Sequence, residues 1–514
     1  MEVELKLLLD PEHAPALRGH PLLAQYATGA PVVLSMHDIY FDTSDLRLCR
    51  QQAGLRVRRV DDDWIQTMKA GGTIAGGLHS RNEWEGPVDG PEPDLDALRK
   101  RMRGKNPWRA LLREPEIRDG LRPVFSTRIE RSVWQLRLPQ GDAIECVLDQ
   151  GSIISGEHSI AISEVELELK AGRADSLFEL ALALLQDLPL QVGQMSKAER
   201  GYRLAAGMPL AAVKAPALAL DAFMTAQQAF QAIATHCLQH MLDNQAGVTA
   251  GDVESLHQMR VGLRRLRSAL QMFKALLALP DELRRELDWL AQALSAARDW
   301  DVLAGDTLAR LEEGEDCLAP LQQAARVLAQ DYHGQAGRAV ASPRATRLFL
   351  SLTRWLQAAG WRDTITSRQR RRLDVRVPRF ARQALLRSQR RLLTRGKYLL
   401  RLAPPARHRV RIAAKKARYA TEFFASLYDA DEVKSYVKWL SVLQDELGWR
   451  NDNEVADGLL RALAEMQPDL LPQAAYARGF LAAQLQGGAG KALARPWRRY
   501  AAALLPSHVS IADA

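Results

Sequence analysis

The chain has 514 residues, more than one typical domain holds, so we expect two or three domains. Apolar residues make up 47% and charged residues 25%, as in soluble globular proteins, and no apolar run approaches the ~20 residues of a membrane helix. The four cysteines are scattered without metal or redox spacing, and nothing near Glu2 and Glu4 resembles a signal peptide. We therefore expect a cytoplasmic protein that makes no use of a membrane.

The net charge of +9 is distributed unevenly along the chain. Between Arg368 and Arg418 there are 19 arginines and lysines but a single acid, Asp374. This segment carries +18, which leaves −9 for the rest of the chain. A basic region this concentrated predicts a polyanionic partner.

The first six residues alternate charged and apolar side chains. In a strand, Glu2, Glu4 and Lys6 would share one face, because successive side chains point to opposite faces. Charges on one strand face normally point to water. The pattern of the following strands decides whether that applies here.

Seven more segments have strand character and are separated by turn residues, which predicts an antiparallel sheet or barrel within an α+β protein. Two helices are expected near 94–103 and 175–187. The predicted strands are 2–9, 31–41, 54–60, 63–70, 79–88, 124–138, 143–150 and 160–170.

Most of these strands repeat a charged face with an apolar face behind it. Leu55–Arg58 and Gln66–Lys69 alternate bases with apolar residues, and Glu164–Lys170 alternates acids with apolar residues. Faces that carry both signs predict a sheet closed on itself, with a charged lumen and an apolar outside covered by helices. The other charges that share a strand face are Arg81 with Glu83 and Glu85, Arg128 with Glu130, and Glu145 with Asp149.

A lumen of this composition suits a particular ligand chemistry. Clustered carboxylates cannot all stay ionised without a cation, and magnesium or manganese prefers such oxygen ligands. Arginines and lysines beside the metal would hold an anionic, oxygen-rich ligand. A polyphosphate bridged to metal ions satisfies both conditions.

Six motifs in the first 202 residues together resemble the CYTH superfamily, the triphosphate tunnel metalloenzymes. They are Glu2-x-Glu4-x-Lys6, Tyr40–Thr43, Leu55–Arg58, Gln66–Lys69, Glu164-x-Glu166-x-Glu168 and Ser196–Tyr202. The resemblance implies an eight-stranded tunnel that binds a triphosphate and one or two divalent metal ions.

The resemblance also implies roles for individual residues, and Glu2, Glu4 and Lys6 become the catalytic candidates. For each of them the alternative is an ion pair that only stabilises the barrel. The implied metal ligands are Glu2, Glu4, Asp149, Glu164, Glu166 and Glu168. The implied phosphate contacts are Lys6, Arg56, Arg58, Lys69, Arg81, Arg128, Lys197 and Arg200.

The composition changes after this first domain, predicted as 1–205. Residues 206–218 are rich in alanine and proline and are expected to form a linker. From 219 to 505 the helical periodicity predicts an all-α domain, followed by a tail at 506–514.

The helical domain contains an internal repeat. His257 and His408 are each followed by bases at offsets 3, 7, 8 and 10, and offsets 0, 3, 7 and 10 lie on one helix face. A second echo relates 295–302 to 448–455. One such stripe would be an ordinary solvated face, but two predict a duplicated bundle whose basic stripes meet across a pseudo-two-fold axis.

The repeat resembles the CHAD domain, a helical domain with conserved histidines, and this resemblance implies binding of inorganic polyphosphate. The histidines are poor metal candidates because cations surround them; their alternative role is a neutral hydrogen bond at a helix contact. The implied contacts are His257, Arg260, Arg264, Arg267, His408, Arg411, Lys415 and Arg418, with Arg265 and Lys416 on neighbouring angles.

We therefore expect a metal-dependent inorganic triphosphatase that acts on tripolyphosphate, with long-chain polyphosphate as the partner of the helical domain. One metal ion would hold the phosphates and a second would activate water. Alternatives are an organic triphosphate as substrate (a nucleoside or thiamine triphosphate, or ATP in a cyclase) and a non-catalytic polyphosphate receptor. Nucleic acid could bind the 368–418 segment through its phosphates, but few aromatics argue against base recognition. The oligomeric state stays open.

Overall fold

A computed structural model describes residues 2–104, 106–311, 316–487 and 489–507, so most of the predicted tail, 508–514, lies outside the described residues. The chain divides into two compact units, Met1–Ala211 with Ala341–Arg354, and Ala212–Val340 with Trp355–Ala514. The domain boundaries at 205 and 219 stay predictions. Within the described ranges, no helix combines the length and the apolar character needed to cross a bilayer.

The first unit is built on nine strands and short helices. The strands are β1 Glu2–Leu8, β2 Val32–Asp42, β3 Ala53–Val60, β4 Asp63–Ala75, β5 Leu78–Val88, β6 Arg122–Arg137, β7 Ala143–Ser155, β8 His158–Ala171 and β9 Gln191–Val192. The helices are α1 Ala14–Arg18, α2 Pro21–Tyr26, α3 Arg47–Arg50, α4 Leu95–Arg101, α5 Pro107–Leu111, α6 Pro115–Arg118, α7 Asp175–Leu184 and α8 Lys197–Ala205.

Strands β1 to β8 form a closed antiparallel barrel, which confirms the predicted fold class. Their order is β5-β4-β3-β2-β6-β7-β8-β1, and β1 pairs with β5 to close the ring. Because β1 lies between β5 and β8, Glu2 is opposite Arg81 and Glu4 is opposite Glu168. Closure thus brings the acids of the first and last strands together.

Apolar side chains on the outer face of the barrel are covered by helices, as the alternating pattern predicted. Leu5 and Leu7 of β1 are fully buried, and α7 contacts both β1 and β8. Around β3 and β4, Leu55 and Val57 pack in a cluster with Leu98 of α4. Each strand can therefore direct its charged residues inward.

An apolar cluster fills one end of the barrel. Phe125 stacks on Tyr40 with ring centroids 4.4 Å apart and meets Tyr202 of α8 edge-on at 5.2 Å. Ile162 of β8 belongs to the same buried cluster. A Cβ atom on Gly201 would lie 2.0 Å from the Phe125 ring, so glycine permits this close approach of α8.

The rest of the chain is helical, which confirms the predicted all-α region. Its helices are α9 Ala226–Leu242, α10 Gln245–Thr249, α11 Val253–Phe273, α12 Asp281–Ala293, α13 Ser295–Asp301, α14 Ala319–Ala341, α15 Pro343–Gln357, α16 Ser367–Leu373, α17 Val377–Gly396, α18 Pro404–Phe423, α19 Ala430–Met466, α20 Leu471–Gly487 and α21 Ala489–Ala502. A π-helical segment, Val302–Thr307, follows α13.

The internal duplication is visible in helix pairing. α9 packs on α11, α17 packs on α18, and α9 and α17 begin at the same distance before His257 and His408. Their starts exchange backbone bonds: the Ala226 N–H donates to Val375 O at 2.8 Å, and the Val377 N–H donates to Met224 O at 2.9 Å. Such reciprocal contacts are expected of two copies related by a pseudo-two-fold axis.

Candidate active site

Three buried carboxylates meet in the barrel lumen. Asp149 of β7 lies directly opposite Glu164 of β8, and Glu166 follows two residues later on the same face. One oxygen from each of the three lies within 4.8 Å of the others, a spacing at which they could hold a metal ion. We call Asp149, Glu164 and Glu166 the inner carboxylates.

Two lysine ammonium groups lie among these acids. Lys6 Nζ hydrogen-bonds Glu166, and is 3.4 Å from Glu164 Oε1 and 3.7 Å from Glu4 Oε1. Lys197, the first residue of α8, has its Nζ 2.6 Å from Asp149 and 3.0 Å from Glu166, and also bonds Glu164. Both lysines are buried, so α8 delivers one cation and β1 the other.

Two arginines complete the inner cluster. Arg131 of β6 forms a bidentate pair with Asp149, with N···O distances of 2.7 and 2.6 Å, and is 3.1 Å from Glu166. Arg200 of α8 pairs with Glu164. The structure thus adds Arg131 to the predicted residues.

Arg128, the base predicted on that strand, lies on the opposite face. Arg128 and Glu130 are exposed, and Glu130 pairs with Arg18 at 2.8 Å outside the lumen. Arg131 has the other parity and points at Asp149. The prediction that Arg128 lines the lumen is wrong. Both 130 and 131 carry charges, so strand alternation alone does not decide which face of β6 points inward.

The inner cluster remains charged despite its burial. Burial alone would raise the pKa of Glu166, but Lys197, Lys6 and Arg131 hold that pKa well below its ordinary value. Burial would lower the pKa of Lys6, but Glu166, Glu4 and Glu164 raise it well above its ordinary value. Each buried ion is therefore stabilised by several partners of opposite sign.

A second group of acids lies nearer the mouth of the barrel. Glu2 accepts a hydrogen bond from Lys69 Nζ at 2.7 Å, and Lys69 is also 3.5 Å from Glu83. Glu168 pairs with Lys170 at 2.8 Å. The pKa of Glu168 is raised, first by burial and then by the nearby Glu2 and Glu145.

Side-chain exposure along β8 shows the direction of the lumen. Ile162 belongs to the apolar cluster, the Glu164 side chain is 0% exposed, Glu168 is 24% exposed and Lys170 is 39% exposed. The lumen therefore runs from an apolar closed end, past the inner carboxylates, to an open mouth.

Asp38 of β2 organises two of the predicted phosphate contacts. It is fully buried and forms a bidentate pair with Arg58 at 2.7 and 2.9 Å, with Arg56 at 3.4 Å. Burial would raise the pKa of Asp38, but Arg58 and Arg56 hold it far below its ordinary value. Sequence reasoning missed Asp38, although it shares the strand face of Tyr40 in the recognised motif.

His79 of β5 was also missed. It is buried opposite Glu4, and burial, Lys6 and Arg81 lower its pKa to about 4, so it is neutral at pH 7. Nε2 lies 3.4 Å from Gly193 O; since a carbonyl only accepts, Nε2 donates and Nδ1 is left as an acceptor. No partner for Nδ1 occurs among the described residues.

The donor set fits a divalent cation. Carboxylate oxygens of Glu4, Glu164 and Glu166 already surround one positive charge, the Lys6 ammonium, and hard oxygens are the ligands that magnesium and manganese prefer. Four cations surround the three inner carboxylates. A metal ion would therefore enter together with an anionic ligand that offsets the added charge.

In the helical unit the two predicted stripes approach each other. Burial is the first cause that lowers the pKa of both Arg411 and Lys415 of α18, and Arg264 of α11 lowers both further. Burial, followed by Arg411 and Arg264, lowers the pKa of Lys415 to about 7. Burial also lowers the pKa of Arg260 to about 10 and that of His257 below its ordinary value. Because α11 and α18 also pack against each other, the two stripes lie side by side and form one basic surface.

The second sequence echo supplies polar partners to the stripes. His408 Nδ1 lies 2.7 Å from Asn451 Oδ1, and Arg411 lies 3.4 Å from Asp452. Burial raises the pKa of Asp299, and Asp452 adds to the effect. The equivalent acids of the two repeats therefore lie close together beside the basic surface.

Two predicted stripe residues form ion pairs with acids of the same repeat. Arg267 pairs with Asp288 at 2.5 Å on an exposed surface, and Arg418 pairs with Glu422 at 3.2 Å. Arg265 also pairs with Glu422, at 2.7 Å. Since Glu422 belongs to α18, the pair with Arg265 of α11 links the two repeats.

The chain thus consists of a charged barrel followed in sequence by a duplicated basic helical domain. Each of these two parts matches the model of one domain family. The CYTH domain family model matches residues 1–202, and the CHAD domain family model matches residues 232–461. The chain therefore belongs to the proteins that carry a CYTH domain followed by a CHAD domain.

Individual relatives agree with this assignment. An inorganic triphosphatase from Haemophilus influenzae is 35% identical over 203 residues, which cover 40% of this chain and 54% of the relative. The chain thus spans about half the length of the curated relative it matches.

A solved structure resembles the helical part. The crystal structure of the CHAD domain from the plant Ricinus communis is 38% identical, with a TM-score of 0.54, and the match covers 58% of this chain and 99% of that domain. A putative adenylyl cyclase from Hippeastrum, described as having a dominant triphosphatase activity, is 20% identical over 41% of this chain and 97% of its own. Its TM-score is 0.31.

Proposed function

We propose that this chain is a divalent-metal-dependent inorganic triphosphatase whose helical domain binds inorganic polyphosphate. The substrate is tripolyphosphate, the cofactor is magnesium or manganese, and the protein acts in the cytoplasm. One observation carries the proposal: acids from the first and last strands meet inward-facing bases inside a barrel with one closed end.

The cationic lining would bind the phosphates. Lys6 and Lys197 lie in the inner cluster, whereas Arg56 and Arg58 are held by Asp38. Arg81 is partly exposed opposite Glu2, and no acid pairs with it in the described part of the barrel. Because the paired cations Lys6, Lys197, Arg56 and Arg58 are held in place before the ligand arrives, little reorganisation is needed when charge develops during phosphoanhydride cleavage.

The ligands for metal would come from Glu2, Glu4, Asp149, Glu164, Glu166 and Glu168. When bound, a divalent ion supplies Lewis-acid charge and lowers the pKa of a water molecule. Glu2 or Glu4, at the partly open end, would orient the attacking water. Attack at a terminal phosphorus breaks one P–O bond and releases phosphate and diphosphate, while Lys6 stabilises the growing negative charge.

A substrate panel tests the enzymatic part. The purified full chain is incubated with tripolyphosphate, ATP or thiamine triphosphate in magnesium, manganese or a chelator, and phosphate release and cyclic AMP are measured. We expect metal-dependent phosphate release that is fastest with tripolyphosphate. Preference for an organic triphosphate would contradict tripolyphosphate as the substrate. No turnover with either metal would contradict the enzymatic activity and favour a non-catalytic polyphosphate receptor.

The polyphosphate-binding part rests on the basic surface shared by the two repeats. Arg260 and Arg411 are both mostly buried and both repelled by Arg264, so an incoming polyanion would relieve this repulsion. Replacing both, as R260Q/R411Q, should weaken binding of long-chain polyphosphate while tripolyphosphate hydrolysis continues. Unchanged polyphosphate affinity in this variant would refute the role of the stripes.

A further inference from the structure

The two halves of the helical domain differ in the charge of the helix that packs against each stripe helix. α17 and α9 hold equivalent places in the duplicated bundle, each packed against a stripe helix. α17 contains six arginines and no acid, whereas α9 contains no arginine, lysine, aspartate or glutamate. Since α9 packs as well without these charges, the fold does not need the arginines of α17.

In the first repeat, the equivalent face is covered by an extended segment of the chain. Three polar residues, His236, His240 and Asn244, contact residues of the linker. His236 Nε2 lies 2.9 Å from Pro216 O, and His240 Nε2 lies 3.1 Å from Val213 O. Asn244 donates to Val213 O and accepts from Val213 N, both at 2.9 Å. This face thus holds a peptide strand.

The same positions in the second repeat are Arg387, Arg391 and Arg395, each at the same distance before its histidine. All three are exposed, and none forms an ion pair with an acid in the described ranges. α17 also packs along α18, which carries Lys416 next to Lys415 of the stripe. Burial, followed by Arg391 and Arg395 of α17, lowers the pKa of Lys416. The open face is therefore continuous with the basic surface.

The chemistry of the replacement identifies the ligand. Asn244 both donates and accepts, as a peptide backbone requires, but arginine only donates. Arg387, Arg391 and Arg395 together suit an extended chain made of acceptors. We propose that this face of α17 binds a linear inorganic polyphosphate, as an extension of the stripe site. The inference rests on the polyphosphate binding proposed above and adds chain-length selection: short chains fill the stripes, and long chains also engage α17.

The test compares two triple variants of the full chain. R387Q/R391Q/R395Q removes the three arginines of this face of α17. R284Q/R285Q/R338Q removes three exposed arginines elsewhere in the helical unit and is the charge-matched control. Binding of short and long polyphosphate chains is measured over a range of salt concentrations, with tripolyphosphate hydrolysis as the check of folding. We expect the first variant to lose long-chain affinity at least tenfold and to keep short-chain affinity and hydrolysis.

The slope of log affinity against log salt should also fall by about 2 for long chains, since three contacts each contribute ~0.7 on a single-stranded polyanion. Equal long-chain affinity in both triple variants would overturn the inference, as would equal losses for short and long chains. If the wild type preferred RNA of equal phosphate content, and lost it in the first variant, polyphosphate would be the wrong ligand. If the wild type bound no polyphosphate of any length, the proposed function itself would fail.

Discussion

The barrel and the helical domain both concentrate cations, but they stabilise them in opposite ways. In the lumen, acids raise the pKa of Lys6 and Lys197 above its ordinary value, because each ammonium contacts several carboxylates. In the helical domain, burial and neighbouring bases lower the pKa of Arg260, Arg411 and Lys415. The first site is preassembled and nearly neutral, whereas the second carries unbalanced positive charge.

This difference indicates what each site is suited to do. A lumen of paired ions holds its groups in fixed geometry, which favours chemistry on a bound ligand. An unbalanced basic surface gains most from an incoming polyanion, so it favours binding. The predictions below concern Glu4, Asp38, Lys415 and Arg128, and they test this division, beginning with the largest expected effect.

Glu4→Gln should reduce metal-dependent tripolyphosphate hydrolysis by on the order of 10²–10³-fold, the size of effect seen when one preorganised polar group is removed from an active site. The fold should change little, because Glu4 is partly exposed and lies 3.7 Å from its nearest cation, Lys6. Phosphate release at saturating metal is the measurement. Glu130→Gln, an acid of the outer face, is the matched control, and equal activity of the two variants would contradict a catalytic role for Glu4.

Asp38→Asn should destabilise the barrel by about 3–5 kcal/mol, the usual cost of removing one partner from a buried ion pair. Arg56 and Arg58 would lose the carboxylate that positions them, so KM for tripolyphosphate should rise as well. Chemical unfolding at pH 7 measures the first effect. The exposed Asp62→Asn should leave stability and KM unchanged, and similar values for both variants would count against Asp38 as a positioning residue.

The Asp38 contribution should also depend on pH. Because the folded-state pKa is lowered, the unfolded chain binds more protons in acid, and the stabilisation present above about pH 4 is lost as pH falls. The stability difference between wild type and Asp38→Asn should therefore shrink between pH 5 and pH 3. A constant difference over that range would show that the ion pair is not its source.

Much of the architecture could be predicted because strand alternation records which face is charged. Alternating acids at 164–168 placed Glu164 and Glu166 inside, and closure of β1 on β5 and β8 followed from charged faces of both signs. The duplication was readable because the two histidine helices keep identical offsets. These features are local or periodic, so a single sequence contains them.

The missed residues depend on three-dimensional partners. Arg131 was passed over because Glu130 and Arg131 are adjacent and parity alone does not choose between them; only pairing with Asp149 does. Asp38 pairs with arginines that lie 18 and 20 residues further along the chain. His79 contacts the carbonyl oxygen of Gly193 on a distant segment. Such contacts arise from barrel closure and leave no periodic signal.

Lys415 should make polyphosphate binding by the helical domain sensitive to pH near neutrality. Burial, followed by Arg411, Arg264 and Arg418, lowers its pKa to about 7, while Asp452 opposes the shift. Free Lys415 therefore loses its charge as pH rises, and long-chain affinity should fall by up to about tenfold between pH 6 and pH 8. Lys415→Arg keeps the charge, so its affinity should vary much less over this range.

Stability should respond to the same group with the opposite sign. The unfolded chain, in which lysine has a pKa of about 10.4, binds more protons than the folded chain above pH 7. Folding stability should therefore rise with pH between about 7 and 10, while affinity falls. Identical pH profiles for wild type and Lys415→Arg in both measurements would assign the dependence to other groups.

The smallest effect is expected at Arg128, and it tests which face of β6 points inward. Arg128→Gln should change tripolyphosphate turnover less than twofold and stability by no more than about 0.5 kcal/mol, as exposed substitutions usually do. Arg131→Gln, three residues along the same strand, removes a bidentate partner of Asp149 and should lower both quantities sharply. If Arg128→Gln were the more damaging change, the face of β6 that carries Arg128 would point into the lumen. Arg131 would then not belong to the inner cluster.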